Sequence, residues 1–477
     1  MHENFDFEPV YDEFYRLCAG KTTRAKFLKR AGQLGLSAAA IGAFVKAYNP
    51  ATARADIEAA NATARAGASG VTKLGFYQWI LNFNPQIQPL TNEYNKKHPD
   101  AQVQIQVAPE SNFSTQKFLL EARNKKSSWD IYVGMTPFVE MSQLQAAGAL
   151  EPWDAYMPAS VKNDMPKSVQ DEGTIDGKMY DWPILLDISS LQWRKSMFKQ
   201  AGVTAIPATW EEFTATAKQI NDKHLKSGSY TVAGATFDWH PWRSLMPVVH
   251  SISLDVYDKD GNPDFTNPAY VQAIKICKGI IPYTPPDFFA TGTAVEAATI
   301  DDVALKASRV AMIFKYPNAI VHDALLWPTS VGGIKDMGLG KLPKPAAGGA
   351  GGSVFWNTGA GLFQYGSNKQ AGANWLTWLL SDPRFWIQEV ISSGQIPPFN
   401  SMYPKLKGKA PDWVFTAYSQ LAASKAVENS IYGFSLGLNG ALVSHFLDAL
   451  KGKVTPEQAM QKTASEFKTQ LQQQMGG

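Results

Sequence analysis

The sequence predicts an α/β fold built on two largely parallel sheets. From Val71 onward, extended apolar segments alternate with segments of helical periodicity, which is the pattern of strands separated by helices. The 477 residues exceed what one hydrophobic core usually organises, so two lobes or domains are expected. The 45% apolar and 18% charged composition is typical of a globular protein, and no repeat of about 20–50 residues indicates a solenoid.

Side-chain periodicity and capping residues predict the first elements. Val103, Ile105 and Val107 alternate with polar residues, as in a strand with one buried face. Thr136-Pro137 combines an N-cap residue with a proline at the first helical position. These elements are a strand at 71–80, a helix at 85–98, a strand at 102–107, a helix at 113–126 capped by Ser111, a strand at 129–133 and a helix opening at Thr136.

The later elements rest on the same signals. Thr209 with Glu212, and Thr455 with Gln458, have the spacing of a capping box, in which two orphan backbone donors are satisfied reciprocally. The predicted elements are an extended run at 179–194, a helix from Thr209 to about His224, a helix opening at Asn267-Pro268, a strand at 310–315, a helix capped by Ser367 that carries Trp375 and Trp378, and a last helix from Thr455.

The positive net charge is confined to the first 55 residues. The chain has 45 Lys and Arg against 42 Asp and Glu, and residues 1–55 hold eight of the basic and five of the acidic side chains. The rest of the chain therefore carries 37 of each sign. A neutral body lacks the concentrated positive field that nucleic acids and anionic membranes require, so these partners are excluded.

Residues 1–55 are interpreted as an export signal. A basic stretch at 23–30 precedes the uncharged, Ala-rich and Gly-rich stretch 31–45, and Ala53-Arg54-Ala55 matches the small-x-small pattern of a signal-peptidase site. The uncharged stretch is too short to span a bilayer about 30 Å thick. We therefore expect cleavage near Ala55, a linker at 56–70 and a periplasmic mature protein.

The leader resembles a twin-arginine signal. Phe27-Leu28-Lys29 and Arg24 match the core Arg-Arg-x-Phe-Leu-Lys, whereas Ala25 takes the place of the second arginine, so general secretion remains the alternative route. Cys18 would leave with the leader, and one remaining thiol, Cys277, cannot form a disulfide within the chain.

Motifs for catalysis and for cofactors are absent from the sequence. None of the seven histidines has HExxH or zinc-finger spacing, so no metal site is predicted. The glycine-rich stretch 348–352 lacks the Lys-Ser/Thr of a phosphate-binding loop and is interpreted as a connecting loop. No catalytic residue and no cofactor are predicted, although carboxylates beside aromatic residues (Asp181, Asp187 and Asp238) leave a glycosidase as an alternative.

The 14 tryptophans are the most informative feature of the composition. Several stand at the ends of predicted elements, where a side chain can face a ligand. An indole face suits the C–H face of a pyranose, and neighbouring Asp, Asn, His and Arg side chains can hydrogen-bond its hydroxyl groups. The end-placed tryptophans are Trp79, Trp182, Trp239, Trp242 and Trp356.

The ordered motifs resemble those of family-1 extracellular solute-binding proteins of bacterial ABC importers, the group that includes maltose-binding protein. The most specific string is Pro-Ala-Thr-Trp-Glu-Glu-Phe at 207–213, which matches P-x-T-W-E-E-F. The other matching strings are 76–79, His98-Pro99, Trp129-Asp130-Ile131, 148–153, 175–183 with its Asp-Gly-Lys, 310–313 and 394–397.

The resemblance covers residues 71 to about 470 and implies a periplasmic-binding-protein fold of type II. In this fold, two α/β lobes are joined by crossover strands and the ligand binds in the cleft between them. It implies a first lobe at 71–185 and 356–397 and a second lobe at 188–352 and 400–477. The implied mechanism is hinge closure around a small polar solute, expected to be a sugar, and delivery to a membrane permease by a monomer.

The matching positions imply a set of ligand-binding residues at strand ends, crossovers and helix starts. Asp181 stands where the family usually has Gly, and 315–318 departs from its usual Gly and aromatic residue, so the ligand stays open. A polyamine, an organic acid or a polyol phosphate are the alternatives, with Lys315 and Arg243 as candidates for an anion. The expected binding residues are Trp79, Asn82, Gly134, Thr136, Trp182, Asp187, Asp238, Trp239, His240, Trp242, Tyr316, Asn318, Trp356, Asn357 and Tyr432.

Overall fold

The computed structural model describes residues 26, 70–77, 80–81, 84, 86–108, 111–238, 240–289, 308–317 and 336–475. The predicted export signal and linker lie outside the described residues, apart from Lys26 and Gly70. Within the described part of the chain, no helix combines the length and the hydropathy that a bilayer crossing requires.

Two main sheets organise the described part of the chain, as the alternation of elements predicted. The first sheet has the order β15-β14-β3-β1-β2, with β4 and β7 also paired to β14, and the second has the order β11-β12-β8-β13. Two hairpins, β5-β6 and β9-β10, complete the strands. The strands are β1 Thr72–Tyr77, β2 Val103–Ala108, β3 Ile131–Met135, β4 Leu150–Glu151, β5 Thr174–Ile175, β6 Lys178–Met179, β7 Asp181–Ile188, β8 Ser190–Arg194, β9 Lys226–Ser227, β10 Tyr230–Thr231, β11 Ala233–Thr236, β12 Val310–Lys315, β13 Met337–Gly340, β14 Val354–Phe363 and β15 Lys425–Ala426.

Each sheet is mixed rather than purely parallel. Strands β1, β2 and β3 run parallel, and so do β11 and β12, as predicted. Strand β14 runs antiparallel to β3 and β7, and β8 runs antiparallel to β12 and β13. The reason is that β7, β8 and β14 carry the chain from one sheet to the other, and so run against the strands they join.

The helices cover the faces of both sheets. The α-helices are Ile87–Lys97, Ser111–Arg123, Ser142–Ala146, Ala159–Asn163, Lys167–Glu172, Lys195–Ala201, Trp210–Asp222, Leu245–Ile252, Pro268–Ile280, Lys369–Ser381, Pro383–Ser392, Met402–Leu406, Asp412–Leu421, Leu442–Leu450 and Pro456–Met475. Wider π-helical segments lie at Pro137–Met141 and Gly433–Ala441, and single 3₁₀ turns at Trp153–Ala155 and Ile281–Tyr283.

Three predicted helix starts are confirmed at the level of hydrogen bonds. The Glu212 backbone N–H donates to Thr209 Oγ1 at 3.1 Å, and Glu212 Oε2 accepts from the Thr209 N–H at 3.2 Å, which completes the capping box. Thr455 and Gln458 exchange the same pair of bonds at 3.0 and 3.1 Å. Asn267 caps its helix through the N–H of Ala269.

Three other helix starts differ from the prediction. The helix predicted to be capped by Ser367 begins at Lys369, and the backbone N–H of Ser367 donates to Asp130 instead. The helix expected to follow Ser111 begins at Ser111 itself. Thr136 precedes a π-helical segment and makes no side-chain capping bond. For Ser367, the acceptor is the carboxylate of Asp130, which directly precedes β3. This contact is distant in sequence, so local sequence does not reveal it.

Each sheet has its own hydrophobic core. In the first lobe, Leu74, Ile131 and Trp375 pack together beneath β1 and β3. A smaller apolar group with Phe118 lies on the other face of that sheet. In the second lobe, Trp210 belongs to the core between the second sheet and its helices. Two separate cores explain how a chain of this length folds.

The boundary of the second lobe differs from the prediction. Residues from Phe399 to Ala426, including Tyr403, Leu406 and Val414, pack into the core of the first lobe. The family resemblance implies 400–477 in the second lobe, whereas among the described residues of that range those from Val427 onward join its core. Amphipathic helices such as Asp412–Leu421 bury one face in either core, so their periodicity does not tell which lobe receives them.

Close packing of helix Trp210–Asp222 on β11 requires glycine at position 234. A Cβ atom there would overlap the backbone carbonyl oxygen of Ala217, which cannot move without its helix. We expect Gly234→Ala to lower the free energy of unfolding by about 1–3 kcal/mol.

Gly279, in helix Pro268–Ile280, serves as the matched control because a Cβ atom there meets no neighbour within 4 Å. Gly279→Ala should raise the free energy of unfolding by up to about 1 kcal/mol, since Ala has the higher helix propensity. Urea unfolding measures both variants. Equal stabilities of the two variants would contradict the packing account.

Candidate ligand cleft

The chain passes between the two lobes at three places that lie close together. The first crossover is at Ser189, between β7 and β8, and the second is at Ser353, directly before β14. The third runs from β15 through 427–432 into the second core. Ser353 Oγ donates to the Ser189 carbonyl oxygen at 2.7 Å, and Gln420 Nε2 donates to the same oxygen at 2.6 Å. These bonds hold the first two crossovers side by side.

Five aromatic side chains from both lobes meet beside the crossovers, and we call them the aromatic cluster. Its members are Phe138, Trp242, Tyr316, Trp356 and Phe434. Phe138 follows β3 of the first sheet, whereas Trp242 and Tyr316 follow β11 and β12 of the second. Ligands of open α/β sheets bind at the carboxyl ends of parallel strands, which is where these rings lie.

The rings of the aromatic cluster contact one another mostly edge to face. The centroid of Trp242 lies 5.4 Å from that of Trp356 and 5.7 Å from that of Phe138. Tyr316 lies 5.0 Å from Trp356, and Phe434 lies 5.1 Å from Phe138. Such contacts add about 0.5–1.5 kcal/mol beyond burial of area. Trp242, Tyr316 and Phe434 remain half-buried.

A charged group adjoins this cluster at the end of β11. Asp238 Oδ1 lies 2.6 Å from His240 Nδ1 and accepts from the His240 backbone N–H at 2.8 Å. Asp238 Oδ2 lies 3.4 Å from Arg243 Nη1, and the Arg243 guanidinium stands 4.6 Å from the Trp242 ring centre. A buried carboxylate thus orients an imidazole and a guanidinium, two groups suited to hydrogen-bond hydroxyl or carbonyl oxygens.

Three carboxyl groups of the first lobe, Glu140, Glu172 and Asp181, are buried, and we call them the carboxyl cluster. Burial raises the pKa of Glu140 and of Glu172 to about 8. Burial, and then the neighbouring Glu172, raise the pKa of Asp181 well above its ordinary value. Glu172 accepts from the Asn357 backbone N–H at 3.0 Å and from Asn357 Nδ2 at 2.9 Å. Carboxyl groups this enclosed favour the protonated, neutral state at moderate pH.

The sequence-predicted binding residues that the structure brings together are those at the ends of β11, β12 and the start of β14. The Trp356 ring contacts those of both Trp242 and Tyr316, and Asp238 and His240 are directly paired. Asn357, next to Trp356, faces Glu172 of the first lobe. Trp79, Asn82, Trp239 and Asn318 lie outside the described residues.

Trp182 lies away from the cleft, contrary to expectation. Its side chain is 0% exposed, and its ring meets that of Trp153 edge to face at 5.0 Å within the first core. A ring enclosed on both faces by its own core has no surface for a ligand. Asp187 is buried as well and accepts a hydrogen bond from Gln395 Nε2 at 2.7 Å.

The remaining predicted residues, Gly134, Thr136 and Tyr432, do not belong to the aromatic cluster. Gly134 has a φ of 144°, and a Cβ atom there would lie 2.5 Å from Tyr77 Cβ, so close strand packing requires glycine. The Thr136 carbonyl accepts from the Val139 N–H at 3.0 Å. Tyr432 precedes the segment Gly433–Ala441 and is half-buried.

Sequence reasoning missed Phe138, Phe434 and Glu172. Phe138 is two residues from Thr136, and Phe434 is two residues from Tyr432, so each lies close in sequence to a predicted residue. Glu172 precedes the Asp-Gly-Lys motif, but no local pattern distinguishes it from a solvated helix-end carboxylate.

The described residues offer no site for a metal ion. No group of three or more His, Cys, Asp or Glu side chains in the described ranges has the arrangement of metal ligands. Cys277 is fully enclosed in the second core, where burial raises the pKa of its thiol, so it behaves as a small apolar side chain.

Comparison with known proteins decides the family. A model of the bacterial extracellular solute-binding proteins matches residues 81–383, well over half of the chain. The chain belongs to this family of bacterial extracellular solute-binding proteins. The resemblance seen in the motifs is thereby confirmed, and the family's members are binding proteins.

Curated relatives of this solute-binding protein are distant. It is 21% identical over 268 residues to a putative binding protein of Brucella abortus, which covers 55% of the chain and 62% of the relative. It is 27% identical over 146 residues to a probable ABC transporter-binding protein of Deinococcus radiodurans, which covers 30% of the chain and 34% of that protein. The chain thus matches less than two thirds of the length of these relatives.

Solved structures of similar fold confirm the two-lobe architecture. The sugar-binding protein MalE of Xanthomonas citri matches with a TM-score of 0.68 at 18% identity, over 84% of this chain and 98% of the other. The GacH receptor of Streptomyces glaucescens, solved unliganded and with acarbose, matches with a TM-score of 0.67 at 18% identity and the same coverage. At such identities the likeness shows the fold, which is the predicted arrangement of two α/β lobes.

The buried Asp187 makes a pH-dependent contribution to the stability of this solute-binding protein. Burial raises the pKa of Asp187 to about 7, against an ordinary value of 3.8. Because the folded-state pKa is the higher one, the contribution is complete below about pH 4 and is lost as pH rises through about 7, with a slope of up to about 1.4 kcal/mol per pH unit.

Asp187→Asn should remove this component, so that the unfolding free energy of the variant falls less than that of the native protein between pH 4 and 7. Urea unfolding at several pH values measures the difference. Asp260→Asn, at an exposed side chain, is the control for loss of one surface charge. Parallel pH profiles of the native protein and Asp187→Asn would contradict the expectation.

Proposed function

We propose that this chain is the extracytoplasmic solute-binding component of an ABC importer and that its solute is a carbohydrate. The observation that carries the proposal is the aromatic cluster, which joins rings of both lobes beside the charged group Asp238–His240–Arg243. The names of similar structures, a sugar-binding MalE and a receptor solved with acarbose, support the same class of solute.

The chemistry of the cleft suits a polyhydroxylated ring. The half-buried faces of Trp242 and Tyr316 can pack against the C–H face of a pyranose, which is apolar and flat. His240 and Arg243, oriented by Asp238, supply polar groups at the edge of those rings. A sugar has both an apolar C–H face and polar hydroxyl groups, so it can contact the aromatic rings and the polar side chains at the same time.

Closure of the lobes is the proposed mechanism of capture. Phe138 belongs to the first lobe by chain position and to the second core by packing. Nearby, Gln143 Nε2 donates to the Ile431 carbonyl oxygen at 3.2 Å. A solute that contacts both lobes binds the closed arrangement more tightly than an open one, and shifts the population by that difference in affinity.

The proposed binding residues are those expected from the sequence, without Trp182 and with Phe138, Arg243 and Phe434 added. Asp187 and Asn357 would act by positioning the crossovers, since both already bond to protein partners. The proposed set that faces the solute is Trp79, Asn82, Gly134, Thr136, Phe138, Asp238, Trp239, His240, Trp242, Arg243, Tyr316, Asn318, Trp356, Tyr432 and Phe434.

We further propose that residues 1–55 are a cleaved export signal, of twin-arginine or general secretion type, followed by a linker at 56–70. The mature protein would be a periplasmic monomer that presents its closed form to a membrane permease. The basic and Ala-rich leader supports export, and the name of the Deinococcus relative supports an ABC transporter.

Binding without catalysis agrees with the state of the carboxyl groups. A glycosidase needs two carboxyl groups that face the substrate. Asp187 is bonded to Gln395, Asp238 is paired with His240, and Asp181 is fully buried. This pairing supports a binding protein over the glycosidase alternative.

A thermal-shift panel tests the class of solute. Malto- and manno-oligosaccharides should raise the melting temperature, because a ligand that binds only the folded state stabilises it by RT ln(1 + [L]/Kd), about 2.7 kcal/mol at a hundred times Kd. Polyols, polyamines and organic acids complete the panel. If a polyamine or an acid raises the melting temperature and no sugar does, the carbohydrate proposal fails.

Trp242→Ala tests the site with whichever sugar binds. Loss of the ring that contacts Phe138 and Trp356 should weaken binding at least tenfold, equivalent to about 1.4 kcal/mol, by calorimetric titration. Trp413→Ala, at a half-buried tryptophan of the first lobe on helix Asp412–Leu421, is the matched control. Equal affinities of both variants would remove the aromatic cluster from the binding site.

A further inference from the structure

One short turn of the first lobe has side chains in apolar groups of both lobes. It is the π-helical segment Pro137–Met141, which follows β3. Met141 is 0% exposed and packs with Phe118 in the smaller apolar group of the first lobe. Phe138 is 2% exposed and belongs to the core of the second lobe, and Val139 packs against the same core. The segment is therefore anchored in one lobe and inserted into the other.

Phe138 packs against two rings of the second lobe, both members of the aromatic cluster. The centroid of the Phe138 ring lies 5.7 Å from that of Trp242 and 5.1 Å from that of Phe434, and the last two lie 6.0 Å apart. The planes of the three pairs are inclined by 55°, 69° and 76°, close to the edge-to-face geometry that aromatic rings prefer. Two of these three contacts join the lobes, so both are lost when the lobes separate.

Burial of the Phe138 ring is the main stabilising contribution at this contact. Gln143 Nε2 also donates to the Ile431 carbonyl oxygen at 3.2 Å, but this hydrogen bond is exposed and largely replaces one to water. The ring, by contrast, loses nearly all its contact with water, and hydrophobic stabilisation grows with the apolar area removed from water. Phe138 is therefore the side chain whose removal should weaken the contact between the lobes most.

Both rings of the closest contact between the lobes lie on π-helical turns. Phe138 belongs to Pro137–Met141, and Phe434 belongs to Gly433–Ala441. Turns of this kind are rare and are found frequently at functional sites. Each of the two leads directly into an α-helix of its own lobe. The wide turns thus place the two rings where the lobes meet.

The contact depends on protein groups alone. Each partner in it is a side chain of this chain, so an arrangement of the lobes that buries Phe138 is stabilised relative to one that exposes the ring to water. A contact made in only one of two arrangements shifts the population toward that arrangement.

We propose that Phe138 is an interlobe latch, which packs between Trp242 and Phe434 and holds the lobes together before any solute binds. Only the consequence for affinity rests on the proposed function. A solute would then meet lobes that are already partly closed, and weakening the latch would raise its apparent dissociation constant. The reason is that this constant is the intrinsic one divided by the fraction of molecules in the binding-competent arrangement.

Small-angle X-ray scattering of the solute-free protein tests the latch, after refolding from urea has removed any bound solute. We expect Phe138→Ala to lower the ratio of closed to open molecules at least tenfold, equivalent to about 1.4 kcal/mol, because the buried ring is lost. The radius of gyration should rise accordingly.

Phe118→Ala is the matched control. The Phe118 ring is also 2% exposed, but its partners Trp129, Tyr132 and Phe363 all belong to the first lobe. This variant should lower the unfolding midpoint in urea and leave the radius of gyration unchanged.

Phe434→Ala removes the other ring of the closest contact, and its half-buried side chain makes it the milder change if Phe138→Ala does not fold. It should raise the radius of gyration too, and the double variant should add little to Phe138→Ala, because both remove the same contact. Radii of gyration of Phe138→Ala and Phe434→Ala equal to that of the native protein would overturn the proposal, as would an equal rise in Phe118→Ala. Because no solute is present, these outcomes are independent of whether the ligand is a sugar, which the thermal-shift panel tests separately.

Discussion

The antiparallel pairing of β7 with β14 is the constraint on which the rest of the structure depends. The register joins Gly361 to Asp181 at one end and Phe355 to Ile188 at the other, where both strands reach the second lobe. Paired strands satisfy each other's backbone groups, so two chain crossings can run through a buried region without unpaired peptides. The lobes are thereby joined along one edge.

That constraint explains where the cleft lies and what lines it. Strands β3, β11 and β12 end on the two sides of the crossovers, so the residues that follow them meet: Phe138 from one lobe, Trp242 and Tyr316 from the other. Trp356 lies on β14 itself, directly after the second crossover, and its ring contacts that of Trp242. Aromatic contacts join the two lobes here, and under the proposed function the charged group around Asp238 would add directional bonds to a polar solute.

Local signals in the sequence predicted the helices and strands better than they predicted the contacts between them. The capping boxes at Thr209 and Thr455 are local hydrogen-bond patterns, so they can be recognised in the sequence from residues within four positions of each other. By contrast, every residue of β7 is buried, and a strand buried on both faces has no alternation that could tell Trp182 in the core from Asp187 at the crossover. The predicted role of Trp182 was wrong for that reason.

The assembly of the lobes depends on long-range packing, which periodicity does not encode. The helix Asp412–Leu421 has an apolar face, yet nothing in it indicates that the first core receives it. Phe138 and Phe434 are ordinary apolar residues until the lobes come together. The ordered motifs supplied this missing information, because the family resemblance carries the two-lobe topology that single elements cannot specify.

Energy transfer between dyes on the two lobes tests the central claim most directly, namely that a sugar closes the cleft. Leu120→Cys and Ile206→Cys place one dye on each lobe, at side chains of residues that are 60% and 49% exposed, while the enclosed Cys277 stays unlabelled. We expect transfer efficiency to rise on saturation with a bound oligosaccharide, because the lobes approach each other. Unchanged efficiency at a sugar concentration that calorimetry shows to be saturating would contradict the account.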